Sequence, residues 1–173
     1  MQNKVYIFGD SHCVIFVGAE RACVCGQDGA SITGLNKPNS TLDYANHVLT
    51  IIKPKPKTDK ILIKLGQVDL EFIMYHKLYI KREVFTFEAF CKSLIDSYRE
   101  FIKHVLEINS NVIIASIHLP SYRKEVDVRS YIARIVTGND NVLPQLELEP
   151  ALSEFSVEQL TKNFTYFNSL LKD

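Results

Sequence analysis

The residues able to do chemistry fall at the ends of short apolar runs. Val5-Tyr6-Ile7-Phe8 stops at Gly9-Asp10-Ser11-His12. Ile61-Leu62-Ile63-Lys64-Leu65 stops at Gly66-Gln67-Val68-Asp69. Val112 to Ile117 stops at His118-Leu119-Pro120. A serine hydroxyl is a nucleophile for acyl transfer when a base takes its proton and fixed N–H donors receive the developing oxyanion. Ser11 has the residue type and the setting for that role. It has a second reading: Asp10 or Ser11 suits a helix N-cap, where the side chain satisfies orphan amides of the next turn. Both remain open on these residues alone.

The elements that must position these groups read as alternating strands and helices. Lys4–Phe8, Arg21–Cys25, Lys60–Leu65 and Val112–Ile117 are short, apolar and rich in β-branched residues, which predicts buried strands. His12 to about Gly18 opens a weak helix. Gln27–Ser40, rich in Gly, Ser, Asn and Pro, reads as loop. Thr41–Ile52 predicts a helix with Leu42, Ala45, Val48, Leu49 and Ile52 on one face, ended by Lys53-Pro54-Lys55-Pro56-Lys57. Leu70–Lys81 reads as a loop or irregular helix covering the site. Phe87–Glu107 carries Phe90, Leu94, Ile95, Tyr98, Phe101, Ile102, Val105 and Leu106 at helical spacing. Ser121–Val136 reads as loop with a short helix, and Gly138–Asn141 as a turn. Ser156–Leu171 predicts a last helix, with Ser156 as N-cap, Gln159 completing a capping box, and Leu160, Phe164, Phe167, Leu170 and Leu171 inward. This alternation predicts an α/β fold in three layers, with a mostly parallel, flavodoxin-like sheet. Such sheets place ligands at the carboxyl ends of their strands, where Ser11, the loop around Gly34, and Gly66–Asp69 would meet.

With those three turns in order, the chain resembles the SGNH, or GDSL-type, hydrolase superfamily, in a branch whose first block reads G-D-S-H. The loop Thr33-Gly34-Leu35-Asn36-Lys37-Pro38-Asn39-Ser40 is similar to the second block, and Leu65-Gly66-Gln67-Val68-Asp69-Leu70-Glu71 to the third. The resemblance covers roughly residues 4 to 172. It implies Ser11 as nucleophile, with its own N–H and that of Gly34 as oxyanion donors. Where many members carry an asparagine donor this chain has Val68, so Gln67, Asn36 or Asn39 would have to supply the third. Loss of one such donor costs about 100- to 1000-fold in rate. Asp69, the acid ending the block, is expected to orient the loop or a substrate hydroxyl rather than act as a base. Asp10 and His12 complete the expected substrate-binding rim.

The superfamily's acid and base come from an Asp-x-x-His block after a final strand, and the 173 residues contain none. The expectation is a single domain over 1–173 that lacks its last strand, as a C-terminally incomplete or degenerate copy. Of the five histidines, His118, after a strand, is the best substitute base; His12 could enter the cleft or cap a carbonyl; His47 and His104 belong on helices and His76 on the covering segment. The resemblance implies a serine esterase or acyltransferase acting on a small or carbohydrate-linked acyl ester. The competing reading is a catalytically inactive binding module on the same fold. A flavodoxin-like nucleotide binder shares the architecture but lacks a phosphate-cradling Gly-rich loop.

Composition bounds the partners. Lys plus Arg and Asp plus Glu number twenty each, so no charge field argues for nucleic acid. No apolar run approaches the roughly 18 residues of a membrane span, and the N-terminus does not read as a signal peptide. Cys13, Cys23, Cys25 and Cys91 have no metal-type spacing and read as reduced thiols of a cytoplasmic protein; no metal or cofactor is implied.

Overall fold

A computed structural model of the chain describes residues 3–120 and 156–172. The chain divides into two compact units, the first Met1–Asp69 with Cys91–Ile117, the second Leu70–Phe90 with His118 onward. The first unit holds a four-stranded, all-parallel sheet, so the fold is α/β. Its strands are β1 (Val5–Gly9), β2 (Ala22–Gly26), β3 (Lys60–Lys64) and β4 (Val112–Ile114), in spatial order β2-β1-β3-β4. That is the order with which a flavodoxin-like sheet begins. No fifth strand occurs among the described residues.

Register partners in a parallel sheet share a face. Tyr6 lies beside Cys23 and Ile61, and Phe8 beside Cys25 and Ile63. On the opposite face Ile7 lies between Val24 and Leu62, and Gly9 is level with Lys64. Tyr6, Phe8, Ile61 and Ile63 are buried on one face and Ile7 on the other. Burial on both faces is why these strands read as continuous apolar runs instead of alternating ones.

Helix α2 (Tyr44–Ile52) buries Tyr44, Val48 and Ile52, spaced one turn apart. It starts later than Thr41 because Asp43 takes a left-handed φ of 43°, which breaks the helical path. Leu42 therefore lies outside the helix and is exposed. Helix α3 (Phe87–Ile108) buries Phe90, Leu94, Ile95, Tyr98, Phe101 and Val105. Leu106, expected on the inner face, is exposed. The predicted strand Val112–Ile117 pairs only as far as Ile114, with one further bond from Ala115 N to Ile63 O.

The second unit contains two π-helical stretches, Asp69–Ile73 (which begins on the last residue of the first unit) and His76–Ile80. Leu70, in the first stretch, and Met74 and Tyr75, between the two, are buried; the mixture of π and α turns leaves no single apolar period, which accounts for the irregular reading of this segment. It also contains α4 (Val157–Leu170), whose N-cap Ser156 accepts the Gln159 N–H at 2.9 Å. The capping box is only half formed, because the Gln159 side chain turns forward to Asn163. Leu160, Asn163, Phe164 and Phe167 are its buried residues; Leu170 and Leu171 are half-buried. The expected Ser121–Val136 loop and Gly138–Asn141 turn lie outside the described residues.

One glycine sets the spacing of the central strands. A Cβ on Gly9 would fall 2.0 Å from the Lys64 carbonyl oxygen and 2.5 Å from Cys13 Sγ. The first of these is backbone and cannot move aside. Gly9→Ala is therefore expected to destabilise the protein by about 3 kcal/mol or more. Gly18→Ala, at a positive φ but with no atom within 4 Å of the new methyl, should cost about 1 kcal/mol. Denaturant midpoints of the two variants check this difference.

Candidate active site

Strand β1 has β2 on one side and β3 on the other. The segments leaving β1 and β3 at their carboxyl ends therefore part there. That point is a topological switch, where open α/β sheets form their binding crevice. The segment after β1 is Asp10-Ser11-His12, and that after β3 is Leu65 to Asp69.

Asp10 is fully buried and caps the 3-10 turn Ser11–Phe16. Its Oδ1 accepts the His12 backbone N–H at 3.0 Å and lies 3.1 Å from His12 Nδ1. Its Oδ2 has no hydrogen-bond partner among the described residues. A buried carboxylate beside Nδ1 holds the imidazole ring in place. Ser11, between the two, is exposed, and the cap belongs to Asp10.

Asp69 is buried and fully engaged. Oδ2 accepts the Ile32 N–H at 2.7 Å; Oδ1 accepts the Thr33 N–H at 2.9 Å and the Thr33 hydroxyl at 2.6 Å. Burial pushes its carboxyl above the usual range, the Thr33 and Ile32 bonds oppose that, and nearby Asp10 adds to the rise. The carboxylate thus ties the Gly34 loop to the end of β3.

That loop is not irregular throughout. Ile32–Leu35 forms one short helical turn, α1 in position between β2 and α2, capped by Ser31. The Gly34 N–H, expected in an oxyanion hole, instead donates to Ser31 Oγ at 3.2 Å. The Asn36 amide donates to the Ser97 carbonyl at 2.7 Å and the Ser97 hydroxyl at 2.9 Å, so it pins the loop to α3. The Gly34 N–H is thus engaged by the cap of its own short helix, and the Asn36 amide by a residue sixty-one positions away in the chain. Asn39 is exposed, Gln67 is buried, and Val68 offers no side-chain donor. His118 belongs to the second unit, whereas Ser11 belongs to the first.

Three further residues carry the site without having been singled out by sequence. Tyr44 Oη accepts the Gly9 N–H at 2.7 Å and lies 3.0 Å from the Gly9 and Cys25 carbonyls, so one hydroxyl braces the ends of β1 and β2. Lys64 is buried, and its Nζ has no hydrogen-bond partner among the described residues. Ser31 was legible as a cap only once a helix was known to follow it. Burial pushes the Cys13 thiol up to about 11; the Asp10 charge adds to the rise and the Lys64 charge opposes it. All four cysteines are free thiols. Among the described residues no cluster of His, Cys, Asp and Glu could hold a metal, and no helix is long and apolar enough to cross a membrane.

No family model matches the chain, and no curated protein does.

Asp69→Ala should cost about 3 kcal/mol or more, because it strands the buried Ile32 and Thr33 donors. Equilibrium unfolding measures this, and loss of α1 should appear as faster amide exchange at Ile32 to Gly34. Cys13 should resist iodoacetamide in the folded protein at pH 8 and react on unfolding. Its folded pKa lies above the unfolded value, so the protonated thiol favours the fold. That contribution is complete below about pH 9 and is lost as pH rises towards about 11. Cys13→Ala should remove this part of the alkaline loss, as read from unfolding midpoints across that range.

Proposed function

We propose that the protein is a serine ester hydrolase or acyltransferase of the SGNH type, acting on a small-molecule or glycan-borne ester through an acyl-enzyme on Ser11. The observation that carries the reading is the Asp10–His12 pair flanking an exposed Ser11 at the switch point between β1 and β3. It places an exposed hydroxyl and, on the next residue, an imidazole held by a buried carboxylate at one strand end. His12 is preferred to His118 as base because its ring is held by a buried carboxylate.

In this mechanism Ser11 Oγ attacks the ester carbonyl carbon while its proton passes to His12. Collapse of the tetrahedral adduct breaks the bond to the leaving alcohol, which takes that proton. Water, or an acceptor hydroxyl, then attacks the acyl-enzyme with His12 again as base, and Ser11 regains its proton. Asp10 holds the His12 ring and stabilises its cationic form. Burial of Asp69 under the second loop keeps that loop in place during the cycle.

A second reading, an inactive binding module, is favoured by the oxyanion donors. The Gly34 amide is taken by Ser31, the Asn36 amide by Ser97, and Val68 has none.

Fluorophosphonate labelling and hydrolysis of p-nitrophenyl acetate decide between the readings. Ser11→Ala should abolish both. His12→Ala should lower turnover by about 100- to 10,000-fold, and wild-type activity should rise with pH as the base loses its proton. His118→Ala tests the other histidine in parallel. Full labelling of the Ser11→Ala protein overturns the proposal, and ligand binding with no Ser11-dependent turnover establishes the binding module.

A further inference from the structure

The 3-10 turn that begins at Ser11 exposes an apolar face that the ester chemistry above does not use. Between Asp10 and Glu20 the chain carries no Asp, Glu, Lys or Arg. Val14 is 65% exposed, Ile15 61% and Val17 66%. These three form a short run of exposed apolar side chains without a charged neighbour in sequence. The first unit's interior takes the other side of the turn, through fully buried Cys13.

Geometry links these side chains to the nucleophile. A 3-10 helix has three residues per turn, so residues i and i+3 eclipse. Ser11 and Val14 therefore stand one above the other, and Val17, whose N–H bonds to the Val14 carbonyl at 3.0 Å, continues the row as the cap. Ile15 flanks it. The exposed face reads as one hydroxyl followed by a strip of rigid aliphatic side chains. Six residues at a rise of about 2.0 Å make the row about 12 Å long, the length of an extended chain of roughly nine carbons.

We propose that this strip seats the acyl chain of the substrate, and that the ester hydrolysed at Ser11 carries a linear aliphatic acyl group of about eight to ten carbons. The inference rests on the ester-hydrolase reading and narrows it on the acyl side. A chain joined to Ser11 Oγ at its carbonyl carbon starts at one end of the strip and needs no charged contact along it. Contact on one side only removes part of each methylene from water, so each added CH2 should raise kcat/KM by about twofold, against about fourfold for full burial.

The test is kcat/KM for p-nitrophenyl esters from acetate to dodecanoate, with the full chain. The expected profile climbs by about twofold per CH2 to the octanoyl or decanoyl ester and then levels, chiefly through KM. In the double variant Val14→Ser, Val17→Ser the slope against chain length should fall towards zero. Both positions are exposed, so an unchanged denaturation midpoint should show that this variant folds. A flat wild-type profile, or a slope unaltered in the double variant, overturns the acyl seat while Ser11-dependent acetate hydrolysis keeps the ester-hydrolase reading. Absence of Ser11-dependent turnover with every ester overturns both. A wild-type dimer that the double variant abolishes marks the strip as a contact between copies and also overturns the acyl seat.

Discussion

The close approach of β1 to β3 at Gly9 governs the rest of the molecule. With no side chain there, the Lys64 carbonyl and Cys13 Sγ occupy the space that a Cβ would fill. Cys13 can then turn inward, and the 3-10 turn that carries it leaves Ser11 exposed. The Tyr44 hydroxyl adds a second restraint, on the Gly9 amide and the ends of β1 and β2. These two restraints fix the strand end from which the turn carrying Ser11 departs.

The second constraint is electrostatic. Asp10 and Asp69 are fully buried carboxylates near the same sheet edge. Buried charge is costly unless it is hydrogen-bonded. Asp69 meets that requirement with three donors from Ile32 and Thr33, and so spends its capacity on architecture. Asp10 meets it with His12 on one oxygen only. The division of labour between two similar residues follows from their neighbours: one faces a helix start, the other a histidine.

Much of the fold was legible because strands and helices leave periodic marks. The runs Val5–Phe8 and Ile61–Leu65 are apolar because parallel strands are covered on both faces, and Phe90 to Val105 repeat at helical spacing because one side of α3 is buried. The short helix Ile32–Leu35 was not legible. Four residues give no periodicity, and its start depends on Asp69, thirty-six residues after Thr33. The site was half legible for the same reason. Ser11 and its turn announce themselves by following a strand, whereas the fates of Gly34 and Asn36 depend on Ser31 and on the distant Ser97.

By itself the sequence determined the alternation of strands and helices, the placing of Gly9-Asp10-Ser11-His12 and Gly66 to Asp69 at strand ends, and the apolar run after Ser11. These are local properties, set by residue type and spacing within one turn or one strand. Tertiary structure alone decided the strand order, the hold of Asp69 on Ile32 and Thr33, the capture of the Asn36 donor by Ser97, and which side of the 3-10 turn faces water. Each of those is a competition between partners, often far apart in the chain, for the same hydrogen bond or the same buried volume. Spacing along the chain does not record its outcome.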